Sequence, residues 1–143
     1  MLHGRFGNTS GAPFISALAV FPRLGWRGSV SFLIDTGADA TVLMPYDAKR
    51  LGVRWRDLRH PITSEGIGGS ADGFMEGGLL SFSDGKFVFT YAVDIEIAVR
   101  TPSNIRFPSL LGRDILRKWR FVMDRQGDKV GATPRIWDVK QRI

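Results

Sequence analysis

The chain has 143 residues, 43% hydrophobic and 24% charged, which suits one globular domain and excludes a disordered tail. It has no cysteine, which excludes a thiol nucleophile, a cysteine-based zinc site and an iron–sulfur cluster, and its two histidines, His3 and His60, leave a histidine-containing triad only two candidates, so hydrolytic chemistry is expected to rest on carboxylates. The net charge of +6, from 15 Arg and 5 Lys against 11 Asp and 3 Glu, fits either a polyanionic partner or a solvated basic surface.

Residues 1–12 contain Gly4, Gly7, Asn8 and Gly11 and are expected to be a loose N-terminal segment. Phe14 to Phe21 is the longest apolar stretch, eight residues interrupted by Ser16, whereas a bilayer needs about 20. Arg5 ahead of it imitates a signal peptide, but Phe21-Pro22-Arg23-Leu24 stands where small residues would mark a cleavage site. A strand is expected instead, and with no signal or membrane-spanning segment recognised, a soluble, cytoplasmic protein.

A second strand is expected from Trp26 to Ile34, its end Phe32-Leu33-Ile34 buried on both faces. Pro45 opens a short helix to Leu51, with Gly52 as its C-terminal cap. Leu79–Phe82 and Lys86–Val99 read as hairpin arms around Ser83-Asp84-Gly85, with Phe87, Phe89, Tyr91, Val93, Ile95 and Ile97 on one face. A second helix is expected over Asp114–Trp119. Beyond it, Phe121–Asp124, a turn near Gln126-Gly127-Asp128, Lys129-Val130 and Arg135–Val139 read as an extra hairpin or extension. The expected fold is mainly β, a closed or strongly curled sheet with one or two short helices. Its expected core includes Leu18, Val20, Phe32, Leu33, Ile34, Val42, Leu43, Phe89, Val93, Leu110, Leu111, Ile115 and Leu116.

The chemically informative segment is Phe32-Leu33-Ile34-Asp35-Thr36-Gly37-Ala38, followed by Asp39-Ala40-Thr41-Val42-Leu43. A carboxylate directly after a buried apolar strand needs a partner or a use. The plain alternative is an Asx-type turn, with Asp35 bonded to its own backbone.

This segment resembles the active-site loop of the retropepsin-like aspartic proteases. Downstream, Ser109-Leu110-Leu111-Gly112-Arg113-Asp114-Ile115-Leu116 resembles the family's apolar-apolar-Gly-Arg-Asp/Asn segment before its helix. Between them Gly66-Ile67-Gly68-Gly69 resembles the tip of the flap hairpin. The resemblance covers Phe14 to Phe121 and implies a single-domain closed β-barrel active as a homodimer. It divides the chain into the N-terminal segment 1–12, a protease domain 13–124, and a hairpin or extension 125–143 packing on or between subunits.

The acid mechanism needs two neighbouring carboxylates, one ionised and one protonated, which share a proton and titrate together. This chain has one Asp-Thr-Gly and no second Asp-Thr/Ser-Gly, so the enzyme reading entails a second copy across a two-fold axis. The resemblance makes Asp35 the catalytic acid/base, Thr36 the hydroxyl reaching toward the partner loop, and Gly37 the point where substrate backbone approaches. Ala38 replaces the Ser of pepsin-like members and cannot donate to the carboxylate, which implies an optimum nearer neutrality. Arg113, after Gly112, is expected to pair with Asp39 and support the loop. Ala40 replaces an acidic residue and implies a more apolar subsite. Ile67 would close on substrate at the flap tip, with Gly66, Gly68 and Gly69 giving it freedom. The expected substrate is a protein or peptide held extended, with hydrophobic residues beside the cut and no metal or organic cofactor.

Two rivals stand beside this reading. Lys49, Arg50, Arg54, Arg56, Arg59 and His60 surround Trp55, and Arg113, Arg117, Lys118 and Arg120 surround Trp119, a combination that single-strand nucleic-acid binders use. The other keeps the fold without turnover, as a dimeric scaffold or peptide-binding module. The arrangement of the terminal strands, which retroviral dimers interleave, is left open by the longer tail.

Overall fold

A computed structural model describes residues 1–66 and 69–143. The first long hairpin joins β3 (Pro13–Phe21) to β4 (Trp26–Ile34), from Phe14↔Leu33 to Phe21↔Trp26. Its turn is closed by the amides of Leu24 and Gly25, both donating to the Phe21 carbonyl, and Gly25 takes the positive φ of 70° that the bend requires. The second long hairpin joins β7 (Gly69–Ser83) to β8 (Phe87–Ala98). The Asp84 carboxylate accepts the amides of Lys86 (2.9 Å) and Phe87 (2.7 Å), and Gly85 again has positive φ, which explains why Ser83-Asp84-Gly85 turns. These bonds hold the Asp84 carboxyl below its ordinary pKa.

Two short strands, β5 (Val42–Leu43) and β9 (Leu110–Leu111), complete the barrel. β4 runs parallel to β9, and β5 runs parallel to β8 and antiparallel to β9. Because β3 also pairs with β7, the order β8-β5-β9-β4-β3-β7 returns to β8 and the sheet closes on itself. The expected mainly β closed barrel is the fold observed. Helix α1 (Pro45–Arg50) starts on its proline and gives way at Gly52 (φ 86°), as expected. Helix α2 (Arg113–Leu116) is shorter than expected, since Trp119 already starts the next strand.

The barrel is filled by Phe21, Phe32, Leu43, Leu80, Phe82, Tyr91, Ile95, Ile97, Leu111 and Ile115. Phe82 meets Trp119 edge-on at 4.8 Å between ring centroids, and the Trp119 indole N–H donates to the Tyr91 hydroxyl at 2.8 Å. Strand β3 departs from expectation. Ile15, Ala17, Ala19 and Phe21 face inward, while Val20 is half-buried and Leu18 is 44% exposed. Both parities of Pro13–Phe21 are mostly apolar, so hydrophobicity could not choose between them. Ser16, on the same parity as Leu18 and Val20, was the one residue that did. Leu33, Val42, Val93 and Leu110 are also half-buried, each on a strand with only one face in the core.

The termini differ from expectation too. Residues 1–12 carry β1 (Leu2–His3) and β2 (Arg5–Phe6), with Leu2 buried in the core. β10 (Trp119–Asp124) and β11 (Lys129–Pro134) form the extra hairpin that was expected, straddling residue 124, and β1 pairs with β11 in a three-stranded sheet. The last strand, β12 (Val139–Arg142), pairs with β8, with Trp137 packed on Phe89 and the Lys140 ammonium over Phe87. Both ends are held by backbone pairing within their own chain, which a composition rich in turn residues did not reveal.

Candidate active site

Asp35 leaves β4 where β9 runs alongside. Leu33 N–H donates to the Ser109 carbonyl (2.8 Å) and Asp35 N–H to the Leu111 carbonyl (3.0 Å), so the backbone of Asp35 is a rung of the barrel. The chain then turns. Ala38 N–H donates to the Asp35 carbonyl at 3.2 Å, and Gly37 N–H donates to Asp35 Oδ1 at 2.9 Å. The Asx-type bond is therefore present. It engages one carboxylate oxygen, while Thr36 and Gly37 lie exposed beyond it. A Cβ at Gly37 would come within 3.2 Å of Asp35 Oδ1, so a glycine keeps the turn this tight.

Three residues brace the loop from behind. The amide of Arg113 donates to the Ala38 carbonyl (2.8 Å), and its guanidinium donates to the Thr36 carbonyl (2.8 Å) and to the Asp39 carboxylate. A Cβ at Gly112 would stand 2.5 Å from the Ala40 carbonyl carbon and 3.0 Å from the Ala38 oxygen, so only glycine lets the two segments touch. Asp114 accepts both the amide (2.9 Å) and the hydroxyl (2.8 Å) of the buried Thr41, whose oxygen in turn accepts Gly112 N–H at 3.2 Å. Asp35, Thr36, Gly37, Ala38, Asp39, Ala40, Gly112 and Arg113 thus converge on one loop cluster.

Above the barrel, β6 (Pro61–Gly66) and β7 form the arms of a further hairpin, paired from Pro61↔Phe74 to Gly66↔Gly69. Gly69 has φ 110°, open to glycine alone, while Ile67 and Gly68 lie outside the described residues. The base of this hairpin is fixed by Arg23. Its guanidinium donates to both oxygens of the buried Glu76 and to the Asp57 carbonyl. Between the hairpin and the barrel lies a cleft of about 550 Å3, with Val42 and Met44 from the β5 segment, Ser64–Gly66 and Gly69–Asp72 from the two hairpin arms, and Phe107 among its lining.

The comparisons with known proteins agree with this geometry. Residues 27–118 match the sequence model of the family described as "gag-polyprotein putative aspartyl protease". The chain belongs to this aspartyl protease family. The match runs from β4 through α2 and takes in the Asp35 loop, the β6–β7 hairpin and the Gly112-Arg113 segment. Two solved structures share the fold. A retropepsin-like aspartic protease from Rickettsia conorii is 24% identical, with a TM-score of 0.58 over 91% of this chain and 86% of that one. EIAV protease complexed with the inhibitor HBY-793 is 24% identical, with a TM-score of 0.52 over 78% of this chain and 90% of that one. No curated protein sequence matches the chain.

Sequence reasoning missed part of the scaffold. The buried Ser109 hydroxyl donates to Asp47 (2.7 Å) and accepts Met44 N–H (2.9 Å), tying α1 to the floor of the cleft. The signal available was a polar residue in an otherwise apolar run, the same signal that marks Thr41. Of the two aromatic centres in the basic clusters, Trp119 is buried against Phe82 and Tyr91 and has no face to offer a nucleobase, whereas Trp55 is exposed.

Proposed function

We propose that the chain is an aspartic endopeptidase that works as a homodimer, two Asp35 carboxylates sharing one proton about one water. The observation that carries this reading is the Asp35 loop itself. Its backbone is fixed by Leu111 and Arg113, while one carboxylate oxygen and the Thr36 side chain are left open. One such loop per chain is half of a dyad. The ionised Asp35 takes a proton from water as the water oxygen bonds to the scissile carbonyl carbon, and the protonated Asp35 of the second copy gives its proton to the carbonyl oxygen. The protonated Asp35 then gives its proton to the nitrogen while the ionised one takes a proton from a hydroxyl of the tetrahedral intermediate, so that the C–N bond breaks, the carbonyl reforms as a carboxylic acid, the amine leaves and the dyad again holds one proton.

Substrate lies extended between flap and floor, adding main-chain bonds to both, with Gly37 allowing close approach. The pairing of β1 with β11 of its own chain supports a contact between copies that runs through the Asp35 loops. Asp35→Asn tests the chemistry. Peptide cleavage should fall by at least about 1000-fold, and activity surviving in that protein removes Asp35 from the mechanism. Titrating wild-type subunits with excess Asp35→Asn subunits tests the shared site. Activity should decline as mixed dimers form, and an unchanged rate per wild-type subunit rejects the dyad.

A further inference from the structure

The cleft under the flap contains a carboxylate that the acid mechanism does not use. Glu96 sits on β8, paired with Val42 of β5 on one side and Met75 of β7 on the other, and its amide donates to the Thr41 carbonyl. Its side chain lines the cleft yet is only 8% exposed. Oε1 accepts the Ser64 hydroxyl of the flap at 2.7 Å, and Oε2 has no hydrogen-bond partner among the described residues. Space for this group is made by Gly73 on the facing strand, where a Cβ would lie 3.1 Å from Oε1 and 3.2 Å from Cγ.

The surroundings have one sign. Glu65 and Asp72 on the two flap arms also line the cleft, and none of its described lining residues is Lys, Arg or His. This holds in a chain whose net charge is +6. A nearly buried carboxylate with a single hydroxyl partner is costly, and the cost falls when a cation is brought to its free oxygen.

We infer that Glu96, with Asp72 and Glu65 at the rim, selects a lysine or arginine side chain of the substrate in one subsite of this cleft. The inference rests on the proposed peptidase reading. It adds a basic position to the hydrophobic residues expected beside the cut. The cation's aliphatic stem lies along Val42, Met44 and Phe107 while its charged end meets Oε2. The flap bond from Ser64 couples this recognition to closure, because the arm that covers the substrate holds the same carboxylate.

The test uses peptide mixtures in which one position at a time is lysine or its uncharged near-isostere norleucine. At one position, kcat/KM for the lysine series should exceed that for norleucine by about tenfold. Glu96→Gln, which keeps an acceptor for Ser64, should bring that ratio near one, and Ser64→Ala, which keeps the charge, should preserve the preference. The same comparison is made by binding to the Asp35→Asn protein, which separates selection from turnover. Lysine-selective binding that Glu96→Gln removes supports the inference even if the wild type cleaves nothing, in which case the peptidase reading alone fails. Equal cleavage and binding of both series, a preference that survives Glu96→Gln, or no binding of either series overturns it.

Discussion

Arg113 spans the base of the Asp35 turn, donating to the carbonyl of Thr36 on one side and to the carboxylate of Asp39 on the other. Both side chains are largely exposed, so as an ion pair they contribute at most about 1 kcal/mol to stability. Their effect is on position. Arg113→Ala should shift the urea midpoint little while lowering kcat/KM by about tenfold or more, because small displacements of a catalytic group are expensive. Parallel denaturation and peptide-cleavage measurements check the split, and equal losses in both would make Arg113 an ordinary stabilising residue.

Gly112 is held to its residue type by contact. Alanine there places a methyl carbon 2.5 Å from the Ala40 backbone, which can be relieved only by moving the Asp35 loop off the barrel. Gly112→Ala should therefore cost about 2 kcal/mol or more and abolish cleavage together. Chemical denaturation at unchanged m-value reads the first, and a peptide assay the second.

Tyr91 and Trp119 are joined by the indole N–H in the core. Tyr91→Phe leaves that donor unpaired and should cost about 1–3 kcal/mol by urea denaturation. Burial raises the Tyr91 phenol above 10.0, so the folded state holds this proton more tightly than the unfolded chain does. Its contribution is fully present below pH 10 and is lost as pH rises through the folded value. Stability should hold up to about pH 10 and decline above it in the wild type, and the variant should lack that component.

At the acid end the sign reverses. The amides of Phe87 and then Lys86 lower the Asp84 carboxyl below 3.8, so its contribution is present above that value and lost as pH falls through the folded pKa. Asp84→Asn should reduce stability at neutral pH and flatten the acid limb of the stability curve. An unchanged limb would assign acid sensitivity to other carboxylates.

Ala38 offers the Asp35 carboxylate no hydroxyl. Ala38→Ser adds a donor that favours the ionised form, and the acid limb of the pH–rate profile should move to lower pH. A profile that stays in place, or a wild-type optimum well below pH 4, rejects this account of the dyad.

What could be read in the sequence was local. Asp35-Thr36-Gly37 and Ser83-Asp84-Gly85 are each fixed by bonds between near neighbours, whereas Gly112-Arg113, whose contacts reach across the chain to Thr36, Ala38, Asp39 and Ala40, was legible only by its resemblance to the family's segment. The hairpin arms followed from strict alternation, most clearly from Phe87 to Ile97. What escaped was set at a distance. The inward parity of β3 depends on which strands cover it, and both parities looked alike. The pairing of Leu2 and His3 with Ala132 and Gly131 joins opposite ends of the chain, and no local pattern foretells it. Glu96 reads as the polar residue of an alternating strand, and its burial comes from Gly73 and Ser64 on other strands.

Strand β7 is fifteen residues long, and its two ends have different surroundings. Leu80 and Phe82 are packed in the barrel wall, whereas residues 69–71, beyond the bond from Val99 N–H to the Asp72 carbonyl, pair only with the β6 arm beside the cleft. One uninterrupted ribbon therefore works as a cantilever, clamped at Arg23 and Glu76 and free toward its far end. Amide exchange should quicken steadily from Leu80 to Ser70, and a ligand that fills the cleft should slow it most at the free end.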